Sequence, residues 1–280
     1  MIEFGRGDAF RRRGWLERAG QACRAPLANS RLKKPLKQIY ESALDHFTGD
    51  RLVARLPHGE TVRLAAANRH VAWNPEEYEA FRRVVKPGAT VLDVGANLGA
   101  YTMLLAGWVG PGGRVHAFEP APEARTGLQK HLALNRIADR VTVHAEALSD
   151  GRRSARFRAI GMQGDNRLLP AAGAEGIVVA TTSIDEFCAA NAVQPSFIKL
   201  DVEGAELDVL RGARSTIASG GEALALFVEM HPQLWSAFGY ARADLEAELA
   251  RQGLTAERLD GQSDPWSLAG VTLRLRPCAS

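Results

Sequence analysis

The chain has 280 residues, of which 46% are hydrophobic and 24% charged; it is long enough to bury a core without disulfide staples. A formal net charge of +3 is too mild to imply a nucleic-acid partner, and no run approaches the ~18 apolar residues of a membrane-crossing helix. Cys23, Cys188 and Cys278 are odd in number and far apart, which excludes zinc or dithiol spacing and fits unpaired thiols in a reducing compartment.

Residues 1–48 read as a basic, helix-leaning extension broken at Pro26 and Pro35, with charges at Arg11, Arg12, Arg13, Arg18, Arg24, Arg31, Lys33, Lys34 and Lys37. Aromatic residues are sparse there, so a solvated arm is favoured over one that binds RNA, a membrane or a partner. The extension is also where a second copy of the chain would dock. The opening residues lack the apolar stretch of a signal peptide, and cytoplasmic residence is the expectation. Residues 52–56 and 61–64 alternate on either side of Pro57-His-Gly-Glu60, the pattern of a β-hairpin. A helix is expected at residues 76–85, between Pro75 and Pro87-Gly88. Residues 1–85 are accordingly assigned to an N-terminal helical extension and hairpin, and residues 86–280 to one larger domain.

From Ala89 the rhythm changes. Residues 90–94, 114–118 and 141–145 form short strand-like runs, separated by helical stretches at 101–109 and 122–138. Strands and helices alternating at this spacing give parallel pairs with right-handed crossovers. Residues 154–160 and 177–184 alternate like strands around a glycine-rich loop from Gly161 to Arg167. The winding resumes with a strand at 197–200, a helix at 205–218, a strand at 223–228, a helix at 244–252 and a strand at 271–276. The expected fold is α/β: one doubly wound, mostly parallel sheet of about seven strands spanning residues 86–277.

The turn after the first of these strands reads Asp93-x-Gly95-x-Asn97-x-Gly99, and Glu119 stands at the end of the second strand. A glycine turn lets a ligand approach backbone N–H groups at a helix start, and the acid at the next strand tip can accept ribose hydroxyls. A dinucleotide site would need a third glycine in register, and Asp93 would repel a pyrophosphate. An ammonium suits that acid better. S-adenosylmethionine offers an ammonium and a ribose without phosphates, and is the expected cofactor.

Five motifs in order, Val91-Leu-Asp-Val-Gly-Ala-Asn-Leu-Gly99 with Thr102, Phe118-Glu-Pro120, Ala147-Leu-Ser149, Ile198-Lys-Leu-Asp-Val-Glu-Gly-Ala-Glu206 and Val228-Glu-Met-His-Pro232, resemble the FkbM-type methyltransferases. This class I, Rossmann-like group is matched over residues 88–232, and the Lys-Leu-Asp-Val-Glu-Gly-Ala-Glu string is its most specific part. The resemblance implies S-adenosylmethionine binding at Asp93, Gly95, Asn97, Gly99 and Glu119, with adenine near Glu146 and Ala147. It also implies O-methylation of a sugar, polyketide or related metabolite, making the partner a small-molecule or glycan acceptor.

If extension persists past residue 200, Lys199, Asp201 and Glu203 share one face, while Glu229 and His231 are in phase on the next strand. Methyl transfer to an alcohol needs a group that takes the proton. His231 is the first choice for that base, because its ordinary pKa lies near neutrality, and Asp201 is the runner-up. Lys199 is either a structural ion pair or a substrate contact, since a buried lysine needs an acid beside it. Asp201, Glu203 and Glu229 could instead hold Mg²⁺, the less favoured reading. Glu206 reads as a helix cap. Gln163, Asp165, Asn166 and Arg167 form either a lid over the acceptor or a surface hairpin tip. The alternative activities are an RNA methyltransferase, for which the basic arm speaks but no base-methylation motif does, and an NAD-dependent oxidoreductase.

Overall fold

The computed structural model describes residues 52–69, 71–160, 166–170, 175–262, 264–266 and 271–278. The basic extension of residues 1–48 with its Cys23, and Gln163 and Asp165 of the glycine-rich loop, lie outside the described residues. The chain divides into two compact units, Met1–Val71 and Ala72–Ser280. In the first, β1 (Val53–Arg55) and β2 (Thr61–Arg63) form an antiparallel hairpin with Ala54 opposite Val62.

The second unit opens with α1 (Pro75–Val84), capped by Asn74, whose side chain accepts from the Glu76 and Glu77 amides at 2.8 and 3.2 Å. Its Phe81 packs edge-on against Tyr101, Phe197 and Phe227, with ring centres 5.1, 5.2 and 4.8 Å away. The helix that the sequence groups with the N-terminal extension therefore packs with residues of the larger unit, which begins at Ala72. Phe81→Leu keeps most of the apolar volume but loses these ring contacts. It is expected to cost about 1–2 kcal/mol, read as a lower urea midpoint with an unchanged slope.

Then follow β3 (Thr90–Val94), α2 (Ala100–Val109), β4 (Arg114–Phe118), α3 (Pro122–Asn135), β5 (Val141–His144), β6 (Ala147–Leu148), β7 (Arg153–Arg158), β8 (Arg167–Leu168), β9 (Ile177–Thr182) and α4 (Ile184–Asn191). The chain finishes with β10 (Phe197–Leu200), α5 (Glu206–Arg211), α6 (Arg214–Gly220), β11 (Ala225–Met230), α7 (Pro232–Trp235), α8 (Arg242–Arg251), β12 (Leu254–Arg258) and β13 (Val271–Pro277). Seven strands form the main sheet in the order β12-β13-β11-β10-β3-β4-β5, parallel except for β13, which runs antiparallel to both neighbours. Its central strands are covered on both faces. Val91, Leu92 and Val94 of β3 and Phe197, Ile198 and Leu200 of β10 are all buried, and so read as nearly unbroken apolar runs. The winding reverses between β3 and β10, and ligands of such sheets sit beyond the carboxyl ends of the strands at that point.

Two local expectations are corrected. The strands expected at 154–160 and 177–184 do not join the main sheet but lie in a separate four-stranded one, ordered β6-β9-β7-β8. The main sheet completes its set with β12, in which Leu254 is the one large apolar residue and Arg258 is buried through its pairing with Asp260. The single helix expected at 205–218 is broken into α5 and α6 around Gly212, where a side chain would meet the Ser149 carbonyl at 2.2 Å. Cys188 and Cys278 are unpaired, and no helix among the described residues is long and apolar enough to cross a membrane.

Candidate functional site

At the end of β3 the backbone enters the left-handed region at Gly95 (φ 77°), Asn97 (φ 48°) and Gly99 (φ 84°). A side chain on Gly95 would lie 1.8 Å from the Asp201 carbonyl oxygen, so only glycine lets the tips of β3 and β10 come this close. Glu119, just past β4, ties the turn down: its carboxylate accepts the Asn97 amide at 2.8 Å and the Ala121 amide at 2.7 Å. Burial pushes this carboxyl up to about 7, against the pull of those two amides and Arg125.

Beyond these tips opens a small cavity of about 40 Å³. Gly95 and Glu119 form one side, Asp201 and Val202 another, and Glu146, Ala147 and Leu148 a third. Phe157, Asn166 and Leu168, from the smaller sheet and its edge, complete the wall. Of the loop residues expected as a lid or hairpin tip, Asn166 thus lines the cavity. Its side chain also accepts the Ile160 amide at 2.7 Å.

Asp93 is 1% exposed and lies beneath the turn, outside the cavity lining. One of its oxygens accepts the Thr102 hydroxyl at 2.5 Å; the other makes no hydrogen bond among the described residues and has the Lys199 ammonium 4.0 Å away. Burial raises its pKa, opposed by Lys199 and Thr102. Lys199, 4% exposed, reaches Asp201 at 3.3 Å. Burial would favour its neutral form, but Asp201 and Asp93 outweigh that and raise its pKa. It makes the ion pairs expected of a buried lysine, joining the tips of β3 and β10. Its ammonium stands over the Tyr101 ring, whose hydroxyl hydrogen-bonds buried Glu77, and Glu77 in turn accepts from Thr272. Neither Glu77 nor Tyr101 is a candidate in the sequence, since nothing local to α1 or α2 announces a polar layer under the site.

On the other side of Asp201 a second cluster gathers. Glu203 (φ 52°) and Gly204 (φ 100°) turn the chain sharply, so strand alternation stops at Leu200. The turn still brings Glu203 to the same place as Asp201. The Nε2 of His231 lies 3.5 Å from Glu203, 3.8 Å from Glu229 and 3.9 Å from Asp201. Its Nδ1 is 2.8 Å from Glu206 Oε1. Glu206 is fully buried and also accepts the Gly204 amide and the Trp235 indole N–H, each at 2.9 Å, so it is more than a helix cap. Burial pulls His231 down, but the Glu206 hydrogen bond and the surrounding carboxylates hold it at about 9. Burial and the nearby Asp201 and Glu77 push Glu229 up to about 8. The same carboxylates favour a positive charge beside them, whether a proton on His231 or another cation.

Residues 93–254 match the family model described as Methyltransferase FkbM domain. The chain is 38% identical over 92 residues to the 31-O-demethyl-FK506 methyltransferase FkbM of Streptomyces tacrolimicus, a stretch covering 31% of this chain and 35% of that protein. It is 40% identical over 82 residues to the AMB antimetabolite synthetase AmbE of Pseudomonas aeruginosa, covering 29% of this chain and 4% of that protein. The chain thus spans about a third of the first relative's length and a small fraction of the second's. A solved structure of methyltransferase FkbM from Methylobacillus flagellatus aligns over 74% of this chain and 56% of that one, at 18% identity and a TM-score of 0.44.

Proposed function

The chain belongs to the FkbM methyltransferase family, and from that premise we propose that it moves a methyl group from S-adenosylmethionine to a hydroxyl oxygen of a sugar or other small-molecule acceptor. The observation that carries the donor assignment is the sign of the cavity. Among the described residues, the charged side chains that line it, Glu119, Glu146 and Asp201, are all acids. They repel a pyrophosphate and attract a donor that carries a sulfonium and an ammonium, which disfavours a nicotinamide dinucleotide.

When bound, S-adenosylmethionine supplies a methyl group on positively charged sulfur, which needs alignment rather than activation. Gly95 would give it bare backbone to lie against, and Glu119 would accept its ribose hydroxyls. Ala147, Leu148 and Phe157 form the apolar slot for adenine. Asp93 and Lys199 act from beneath by fixing the strand tips. Asp201 belongs both to the cavity wall and to the cluster around His231, so the acceptor enters from that side. A carboxylate of the Asp201 group would take the proton of the acceptor hydroxyl as its oxygen displaces the donor's sulfur from the methyl carbon.

Calorimetry with S-adenosylhomocysteine tests the donor site. The wild type should bind, and Glu119→Ala should bind at least ~10-fold more weakly, consistent with losing a charge-assisted contact. Unchanged affinity in the variant, or tighter binding of NAD by the wild type, refutes the assignment. Incubation with methyl-labelled donor and a panel of sugar and macrolide alcohols tests the acceptor class; label appearing in RNA alone overturns it.

A further inference from the structure

We propose that Asp201, Glu229 and His231 form a divalent-cation site at the edge of the donor cavity, with Glu203 in reach as a fourth ligand and Glu206 as the group that orients the imidazole. One donor atom from each of the first three lies within 4.8 Å of the others. Ligands at ~2.0–2.6 Å from a common ion stand no farther apart than about twice that, so the three atoms already span one coordination sphere. The sequence gives the acids alone as metal candidates; the structure adds the nitrogen.

His231 gives the cluster its direction: it is 5% exposed, and its Nε2 faces the Glu203, Glu229 and Asp201 carboxylates together. Separations of 3.5, 3.8 and 3.9 Å from the carboxylate oxygens are too long for direct hydrogen bonds and suit atoms that share an ion between them. On the far side of the ring, Nδ1 is held by Glu206, whose other contacts are the Gly204 amide and the Trp235 indole. A carboxylate behind a metal-binding imidazole fixes its tautomer and orientation in this manner. Two or three carboxylates and one imidazole make a hard, oxygen-rich donor set with one borderline ligand, which suits Mn²⁺ in preference to Mg²⁺.

The position gives the ion a use, and this part rests on the methyl-transfer reading. Asp201 is shared by cavity and cluster, so coordination positions left open by the protein face the acceptor. A cation there binds the acceptor hydroxyl, lowers its pKa and favours acceptors with a second oxygen on the neighbouring carbon.

Titration of Mn²⁺ into EDTA-stripped full-length protein, followed by the electron paramagnetic resonance signal of the free ion, tests the site without any turnover. One ion should be taken up per chain. Glu229→Gln and His231→Ala should weaken uptake at least ~10-fold, and Glu206→Gln by roughly 10–100-fold through loss of the orienting contact. Glu119→Ala should lose S-adenosylhomocysteine binding yet keep the ion, which separates the donor reading from this one. A wild-type protein that leaves the Mn²⁺ signal undiminished overturns the site whatever the variants do. So does a folded Glu229→Gln protein with wild-type uptake.

Discussion

Gly95→Ala is expected to abolish S-adenosylhomocysteine binding and to destabilise the protein more than any other single glycine change in the turn region. Two costs add there. The residue sits at φ 77°, where a side chain costs about 1–2 kcal/mol of backbone strain. The new methyl group would also lie 1.8 Å from the Asp201 carbonyl oxygen, a rigid backbone atom that cannot rotate aside. The tips of β3 and β10 must then part, carrying the floor of the cavity with them. Gly239 provides the comparison, left-handed at φ 76° with open space around the missing side chain. Gly239→Ala should show the strain alone and retain ligand binding. Urea unfolding and calorimetry on both variants separate the terms; equal destabilisation, with binding intact in both, would show that the close approach of the strands is unimportant.

Lys199→Met should cost about 3–5 kcal/mol of folding free energy, the range for removing one partner of a buried ion pair. The lysine lies between Asp93 and Asp201 at 4.0 and 3.3 Å, and Asp93 has one buried oxygen with no hydrogen bond. Without the ammonium, Asp93 either carries an uncompensated charge in the core or takes up a proton. Asp93→Asn in the Lys199→Met background should therefore recover part of the loss, and the double-mutant cycle should show coupling between the two sites. Urea unfolding in which the two substitutions simply add would mean that they do not interact.

The legible parts of this fold are those in which local pattern and tertiary environment agree. β3 and β10 are apolar because they are covered on both faces, and the left-handed positions of the first turn fall on Gly95 and Gly99 as glycine usage suggests. Glu119 was legible for the same reason, as an acid at a strand tip beside that turn. What stayed hidden depends on contacts distant in sequence. Glu77 looks like an exposed first-turn acid until Thr272 and Tyr101 meet it in the interior. The contacts of Asp93 with Thr102 and Lys199 are likewise invisible until the strands are paired. Glu203 was assigned to a strand face by counting alternation past Leu200, where the backbone in fact turns left-handed. That the acid nonetheless meets His231 is a result of the turn and not of the alternation. β12 escaped because an edge strand with one large apolar residue has no periodicity to detect.

The small sheet between β5 and α4 gives the molecule a replaceable part. It leaves the main frame after one strand tip and returns before the next helix, and Phe157, Leu168 and Val179 pack into their own cluster with Ala121, Ala124, Ala147 and Ala205. Two of those side chains, Phe157 and Leu168, also face the cavity. Mutation can therefore recontour that wall while the seven-stranded scaffold and its glycine turn stay as they are. Diversification of ligand preference along this lineage should accordingly concentrate in the excursion between residues 149 and 182 rather than in the frame that carries it.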